Sequence, residues 1–112
     1  MNSAIELTLS LLDEKKATSI ERFDFSEGMF IHPNVIVASA SNPRLLDALA
    51  DYLIEAYEIA EVPIHHVEGT PDSGWIFLDV TSLAVHLFLP EVRHFYAIDS
   101  LWADKRVEIH GT

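Results

Sequence analysis

Three features of this 112-residue chain predict a single compact α/β domain with one mixed β-sheet and flanking helices. Segments with helical apolar spacing are interspersed with short apolar runs, the order expected when helices pack on a sheet. Trp75 to Val80 and Leu83 to Leu89 are rich in β-branched and aromatic residues, and Val80-Thr81-Ser82-Leu83 between them fits a short hairpin turn, so part of the sheet is antiparallel. Hydrophobic residues make up 49% of the chain and aromatics 10%, a globular composition. A chain of this length buries roughly two-thirds of the surface that its unfolded form exposes.

The elements follow in order. Ser3-Ala4-Ile5-Glu6 has the spacing of a capping box, in which a hydroxyl and a carboxylate satisfy free amides at a helix start, so a first helix is expected from about Ala4 to Lys16. Leu7, Leu11 and either Ala4 or Ile5 give it an apolar stripe, and Lys15 and Lys16 fall in its last turn, where cations complement the dipole. Ile20 to Phe25 alternates loosely as a strand, and Ser26-Glu27-Gly28 ends it. Val35 to Ala40 is continuously apolar, which suits a buried strand. Asn42 then caps a second helix with Pro43 at its first position, where the missing N–H is harmless. Leu46, Leu49, Leu53 and Tyr57 share one face and carry this helix to about Ile59. A strand from Pro63 to Glu68 precedes the loop Gly69-Thr70-Pro71-Asp72-Ser73-Gly74 and the hairpin. Pro90, with Glu91 in the first turn, opens an aromatic-rich helix running toward Trp102. Residues 1–104 read as one domain, and 105–112 as a polar tail able to add an edge strand at Arg106 to Ile109.

Charge narrows the partners. Seven Lys plus Arg face 18 Asp plus Glu, a formal charge of −11. Phosphate backbones and anionic membrane surfaces repel such a chain, since nucleic-acid binding needs clustered Lys and Arg. A basic protein partner would be attracted and steered, although acidity also serves simply to keep a small protein soluble. No apolar run approaches the ~20 residues that span a bilayer, and no basic-then-apolar leader pattern opens the chain. The absence of cysteine excludes disulfides and thiolate metal sites and suits the cytoplasm, the location expected here.

Few constellations carry chemistry. Asp24 and Asp79 each sit in an apolar strand context and, if brought together, could hold a divalent metal for nucleotidyl or phosphoryl transfer. Neither has a second acid two residues away, the chain has four glycines and no Gly-rich phosphate loop, and little basic charge is present to stabilise a transferring phosphate. Asp79 therefore reads better as a structural or partner-docking carboxylate. On a strand His65 and His66 face opposite sides, so His66 and Glu68 give at most two local ligands, with His86 or His32 as distant thirds. Ser39, Ser41 and Ser73 lack a nucleophile elbow. Asp47, Asp51, Glu55 and Glu58 line the outer face of the second helix, as a solvated surface or a landing face for a basic partner. Val92, Phe95, Tyr96, Leu101 and Trp102 repeat at helical spacing and are expected mostly in the core. Trp75, opening its strand after a loop, is better placed to lie partly exposed as a binding hot spot. Glu91 and Arg93 read equally as surface residues or as an internal ion pair.

Gly74-Trp75, Asp79, Val85-His86-Leu87-Phe88, Pro90-Glu91, Arg93, Phe95-Tyr96 and Leu101-Trp102 together resemble the ribosomal silencing factor, or Iojap-like, family. Leu11 to Ala17, Val37 to Arg44 and Val67-Glu68-Gly69 extend the resemblance over most of the chain. It implies a nucleotidyltransferase-like outline without the catalytic acid pair, no enzymatic activity, no cofactor or metal, and commonly a homodimer. The implied partner is ribosomal protein fourteen of the large subunit. The resemblance implies that binding there would block joining of the small subunit and repress translation by steric means. Carried over by position, the partner-binding residues are Trp75, Asp79, His86, Glu91, Arg93 and Tyr96, with Trp102 as a weaker member. One segment departs: where the family usually has Thr-Asp and an aromatic, this chain has His32, Pro33 and Asn34, losing an acid and an aromatic from that surface. The competing readings are the metal-dependent transferase and a homodimeric scaffold that binds another basic protein.

Overall fold

The computed structural model describes residues 3–25, 33–81 and 83–109. Its elements are α1 (Ser3–Glu14), β1 (Thr18–Asp24), β2 (Asn34–Ser39), α2 (Pro43–Ile59), β3 (Ile64–Thr70), β4 (Trp75–Val80), β5 (Leu83–Phe88), α3 (Pro90–Tyr96), α4 (Ile98–Leu101) and β6 (Arg106–Val107). The six strands form one sheet in the order β3-β4-β5-β2-β1-β6. Only β2 and β5 run parallel, and every other neighbouring pair is antiparallel. This is the mixed α/β sheet that the sequence predicts. The His32 position and the residues Ser26-Glu27-Gly28 lie outside the described residues, as does Ser82 of the hairpin turn.

The pleat sorts alternate residues of each strand to opposite faces. Ile36 and Ala38 of β2, Ile76, Leu78 and Val80 of β4, and Leu83, Val85 and Leu87 of β5 point to the face covered by α1 and α2. Asn42 caps α2 as expected, its Oδ1 accepting from the Leu45 amide at 2.9 Å, and Leu46, Leu49, Ala50, Leu53 and Tyr57 are buried beneath it. The first helix turns differently from the expected stripe. Ala4, Ile5, Thr8 and Leu12 are buried, whereas Leu7 and Leu11 are only half-buried. A hydroxyl explains the shift. Thr8 Oγ1 donates to the Ala4 carbonyl at 2.7 Å and is hydrogen-bonded to the Tyr57 hydroxyl, so a polar clasp joins the two helices where periodicity looks only for apolar side chains. Burial pushes the Tyr57 phenol up to about 12.

The second departure is at the other end of the chain. The continuous aromatic helix expected from Pro90 is broken at Ala97, which adopts the left-handed conformation at φ 52°. The turn re-aims the chain so that Ile98 and Trp102 return to the sheet. Trp102 meets Phe23 and Phe25 edge-on at centroid distances of 5.6 and 5.4 Å. Phe95, Tyr96 and Leu101 are left outside, with 79%, 48% and 67% of their surface exposed, so the expectation that they are mostly core is wrong. The edge strand expected at Arg106 to Ile109 is reduced to Arg106–Val107, paired with Arg22 and Phe23 of β1.

Gly69 lets the β3–β4 hairpin close. It sits at φ +100°, and a Cβ added there would lie 2.1 Å from the Trp75 carbonyl oxygen. Gly69→Ala therefore combines an unfavourable backbone region with a clash against main chain and is expected to cost about 2–3 kcal/mol, read as a lower midpoint of urea unfolding.

Candidate docking face of the sheet

The face opposite α1 and α2 is only partly covered. Across it, Trp75 pairs with Phe88, Phe77 with His86, and Asp79 with Ala84, while β3 sets Thr70, Glu68 and His66 beside Trp75, Phe77 and Asp79. The side chains form one aromatic platform. Trp75 lies 4.9 Å from Phe88 and 5.0 Å from Tyr96 between ring centroids, and Phe77 lies 5.0 Å from His86. The Trp75 indole N–H donates to His86 Nδ1 at 3.1 Å. Between β3, the platform and α3 opens a groove of about 410 Å³, walled by Trp75, Phe77, His86, Val92 and Tyr96 and rimmed by Glu68 and Ser73. An apolar floor with an acidic rim is suited to amphipathic side chains that end in a positive charge.

The expected site residues divide into four groups. Trp75, His86 and Tyr96 meet at the groove, and Asp79 lies half-buried on the same face. Trp102 shares the face from the side, 5.9 Å from the His86 ring, half-buried over Phe23 and Phe25. Glu91 is exposed in the first turn of α3. Arg93 is placed away from the surface. It is 6% exposed, donating to Asp99 Oδ2 and Oδ1 at 2.8 and 2.7 Å, to the Ser19 carbonyl at 2.7 Å and to Ser39 Oγ at 3.0 Å. The internal ion-pair reading holds for Arg93, with Asp99 rather than Glu91 as the carboxylate. Phe77 and Glu68 also belong to the groove; from the sequence, Phe77 is not expected there and Glu68 is weighed only as a metal ligand beside His66. The signal was present, because Phe77 stands two residues from Trp75 and a strand puts both on one face.

Asp99 gives a pH test of that pairing. The hydrogen bonds from Arg93 hold its carboxyl below the ordinary 3.8, against an opposing push from partial burial. A depressed folded-state value stabilises the protein above the unfolded value and loses that stabilisation as pH falls through the folded one. Wild type is therefore expected to exceed Asp99→Asn in stability at neutral pH, and the gap should close progressively below about pH 4, measured by urea unfolding across pH.

The other constellations do not assemble. Asp24 aligns with Asn34 and, through it, with Leu83 on the helix-covered face, whereas Asp79 points to the open face. With β2 and β5 between them, the two carboxylates stand about 14 Å apart along the sheet, so they cannot bridge one metal. His66 Nε2 lies 3.1 Å from Glu68 Oε1, both exposed, as their shared face requires. Among the described residues no group of three or more His, Cys, Asp or Glu is placed to hold a metal. At the departing segment, the Pro33 carbonyl accepts from the Phe25 amide at 2.6 Å and Asn34 Oδ1 accepts from Arg22 Nη2 at 3.3 Å. These two positions knit β1 to β2.

Fold and face together define a small mixed-sheet α/β domain with a helix-covered core on one side of its sheet and an open aromatic platform on the other. The family model described as ribosomal silencing factor during starvation matches residues 1–111. The chain belongs to the ribosomal silencing factor family, which is named for a regulatory role rather than a reaction. It is 30% identical over 98 residues to the ribosomal silencing factor RsfS of Zymomonas mobilis, covering 88% of this chain and 74% of the relative. It is 29% identical over 101 residues to the mouse protein named mitochondrial assembly of ribosomal large subunit protein 1, covering 88% of this chain and 44% of that one. A crystal structure of a protein from Chromobacterium violaceum superimposes with a TM-score of 0.85 at 27% identity, covering 100% of this chain and 95% of the other.

Proposed function

We propose that this protein silences translation by docking its open sheet face onto ribosomal protein fourteen of the large subunit, where it stands in the way of the small subunit. Family membership supports a ribosome-associated silencing role, and the relative named for large-subunit assembly supports the choice of subunit. The observation that carries the reading is the groove of Trp75, Phe77, His86 and Tyr96 with Glu68 at its rim, on a chain of net charge −11. Apolar anchors would supply the affinity, while the acidic surface would steer a basic partner and keep it in register. Trp75 is the central anchor, Asp79 and Glu91 meet basic side chains, and Arg93 ties α3, which carries Tyr96, to β1, β2 and α4. A cytoplasmic location and self-association as a homodimer belong to the same reading.

Co-sedimentation tests it. The purified protein is expected to pellet with isolated large subunits from its own source, to be released as salt rises, and to lower the yield of joined ribosomes when small subunits are added. Protein that stays in the supernatant at low salt would remove the reading and leave the scaffold for another basic protein.

A further inference from the structure

The hydrogen bond from the Trp75 indole to His86 Nδ1, 3.1 Å long, fixes a protonation state. An indole nitrogen can only donate, so Nδ1 must offer its lone pair and the ring proton must sit on Nε2. The bond exists with neutral imidazole and not with imidazolium, in which both nitrogens donate. We propose that His86 is a positioning residue for the docking face: its neutral ring holds the Trp75 indole in place, and its protonation releases the indole and weakens docking. The proposal rests on the docking reading given above and adds to it a dependence on pH.

Both rings and charged groups surround His86 on this face. Rings flank it, with Phe77 at 5.0 Å, Trp102 at 5.9 Å and Phe88 stacked at 6.1 Å. Charged groups share the same face. They are Asp79 from β4, His66 and Glu68 from β3, and Glu21 from β1, which is in register with His86 through Val37 and is itself paired with Arg106 at 3.5 Å. From α3 comes Tyr96, and from the segment after α4 comes Trp102; β2 contributes Val37, which has no charge. Once protonated, Nδ1–H faces the indole N–H, and two donors cannot share that contact.

Two measurements test this separately from docking. The chain has only two tryptophans, so its indole N–H spectrum has two signals, assigned with Trp75→Phe. Titrated from about pH 5 to 8, the Trp75 signal is expected to move with the His86 ring resonances, which are assigned with His86→Asn, while Trp102 moves less. Affinity for isolated large subunits is expected to fall about five- to tenfold across the same midpoint, the size of one lost hydrogen bond. His86→Asn offers an amide oxygen that does not titrate and should flatten that profile whatever its absolute affinity. A Trp75 signal that ignores the His86 titration overturns the positioning role. A His86→Asn profile as steep as wild type overturns the coupling to docking. If wild type binds no subunits at any pH, the docking half falls with the reading beneath it, whereas the titration of the free protein still decides the hydrogen bond.

Discussion

Trp75→Ala is expected to weaken binding to large ribosomal subunits by about thirtyfold or more while leaving the domain folded. The indole is half-buried on the open face, wedged between Phe88 and Tyr96 and tied to His86, so it presents a broad surface that is already ordered before binding. Pre-ordered aromatic anchors in a pocket are the residues whose truncation removes 2 kcal/mol or more of binding free energy, about thirtyfold in affinity. Stability should suffer less than for a fully buried tryptophan. The residues packed beneath α1 and α2, such as Leu78 and Val85, do not touch this face, and roughly 1–2 kcal/mol of the usual 3–5 is at stake. Co-sedimentation alongside a urea melt separates the two effects. Unchanged binding by a folded variant would mean that the partner docks elsewhere.

The largest loss of stability outside the apolar core is expected at Arg93. Its guanidinium joins three parts of the chain: the Ser19 carbonyl at the start of β1, the Ser39 hydroxyl at the end of β2, and the Asp99 carboxylate in α4. Ser39 is itself buried. Arg93→Met keeps much of the volume but supplies no donors, and is expected to cost about 2–4 kcal/mol. The figure is set below that for a fully buried ion pair because the Asp99 side chain is 53% exposed and can turn to water. Arg93→Lys should recover only part, since an ammonium cannot reproduce the bidentate grip on Asp99 while also reaching Ser19 and Ser39. Full recovery by lysine in urea unfolding would reduce the role to a single charge contact.

What the sequence made legible follows from how local each signal is. The Asn42-Pro43 helix start and the β4–β5 hairpin are written in neighbouring residues, and both are found where expected. Strand alternation also predicts that His66 and Glu68 share a side. Applied to Trp75 and Phe77 it would have completed the groove. The kink at Ala97 was not legible, because alanine is a strong helix former and nothing nearby marks a left-handed residue. Docking of Ile98 and Trp102 on a distant strand imposes it. The burial of Arg93 was hidden for the same reason: one of its partners, Ser19, is 74 residues away in sequence. On the face itself, spacing could separate the two sides of a strand but not decide which side a helix would cover.

The alternation that divides the sheet has a consequence for divergence among relatives. If the open face docks the partner as proposed, neighbouring residues of one strand answer to different selective pressures: Leu78 and Val85 to stability of the core, Phe77 and His86 to recognition. Substitutions can accumulate at every second position and retune what the protein recognises while the helix-covered half holds the melting temperature steady. A lineage whose partner drifts can follow it in small steps, without passing through an unfolded ancestor.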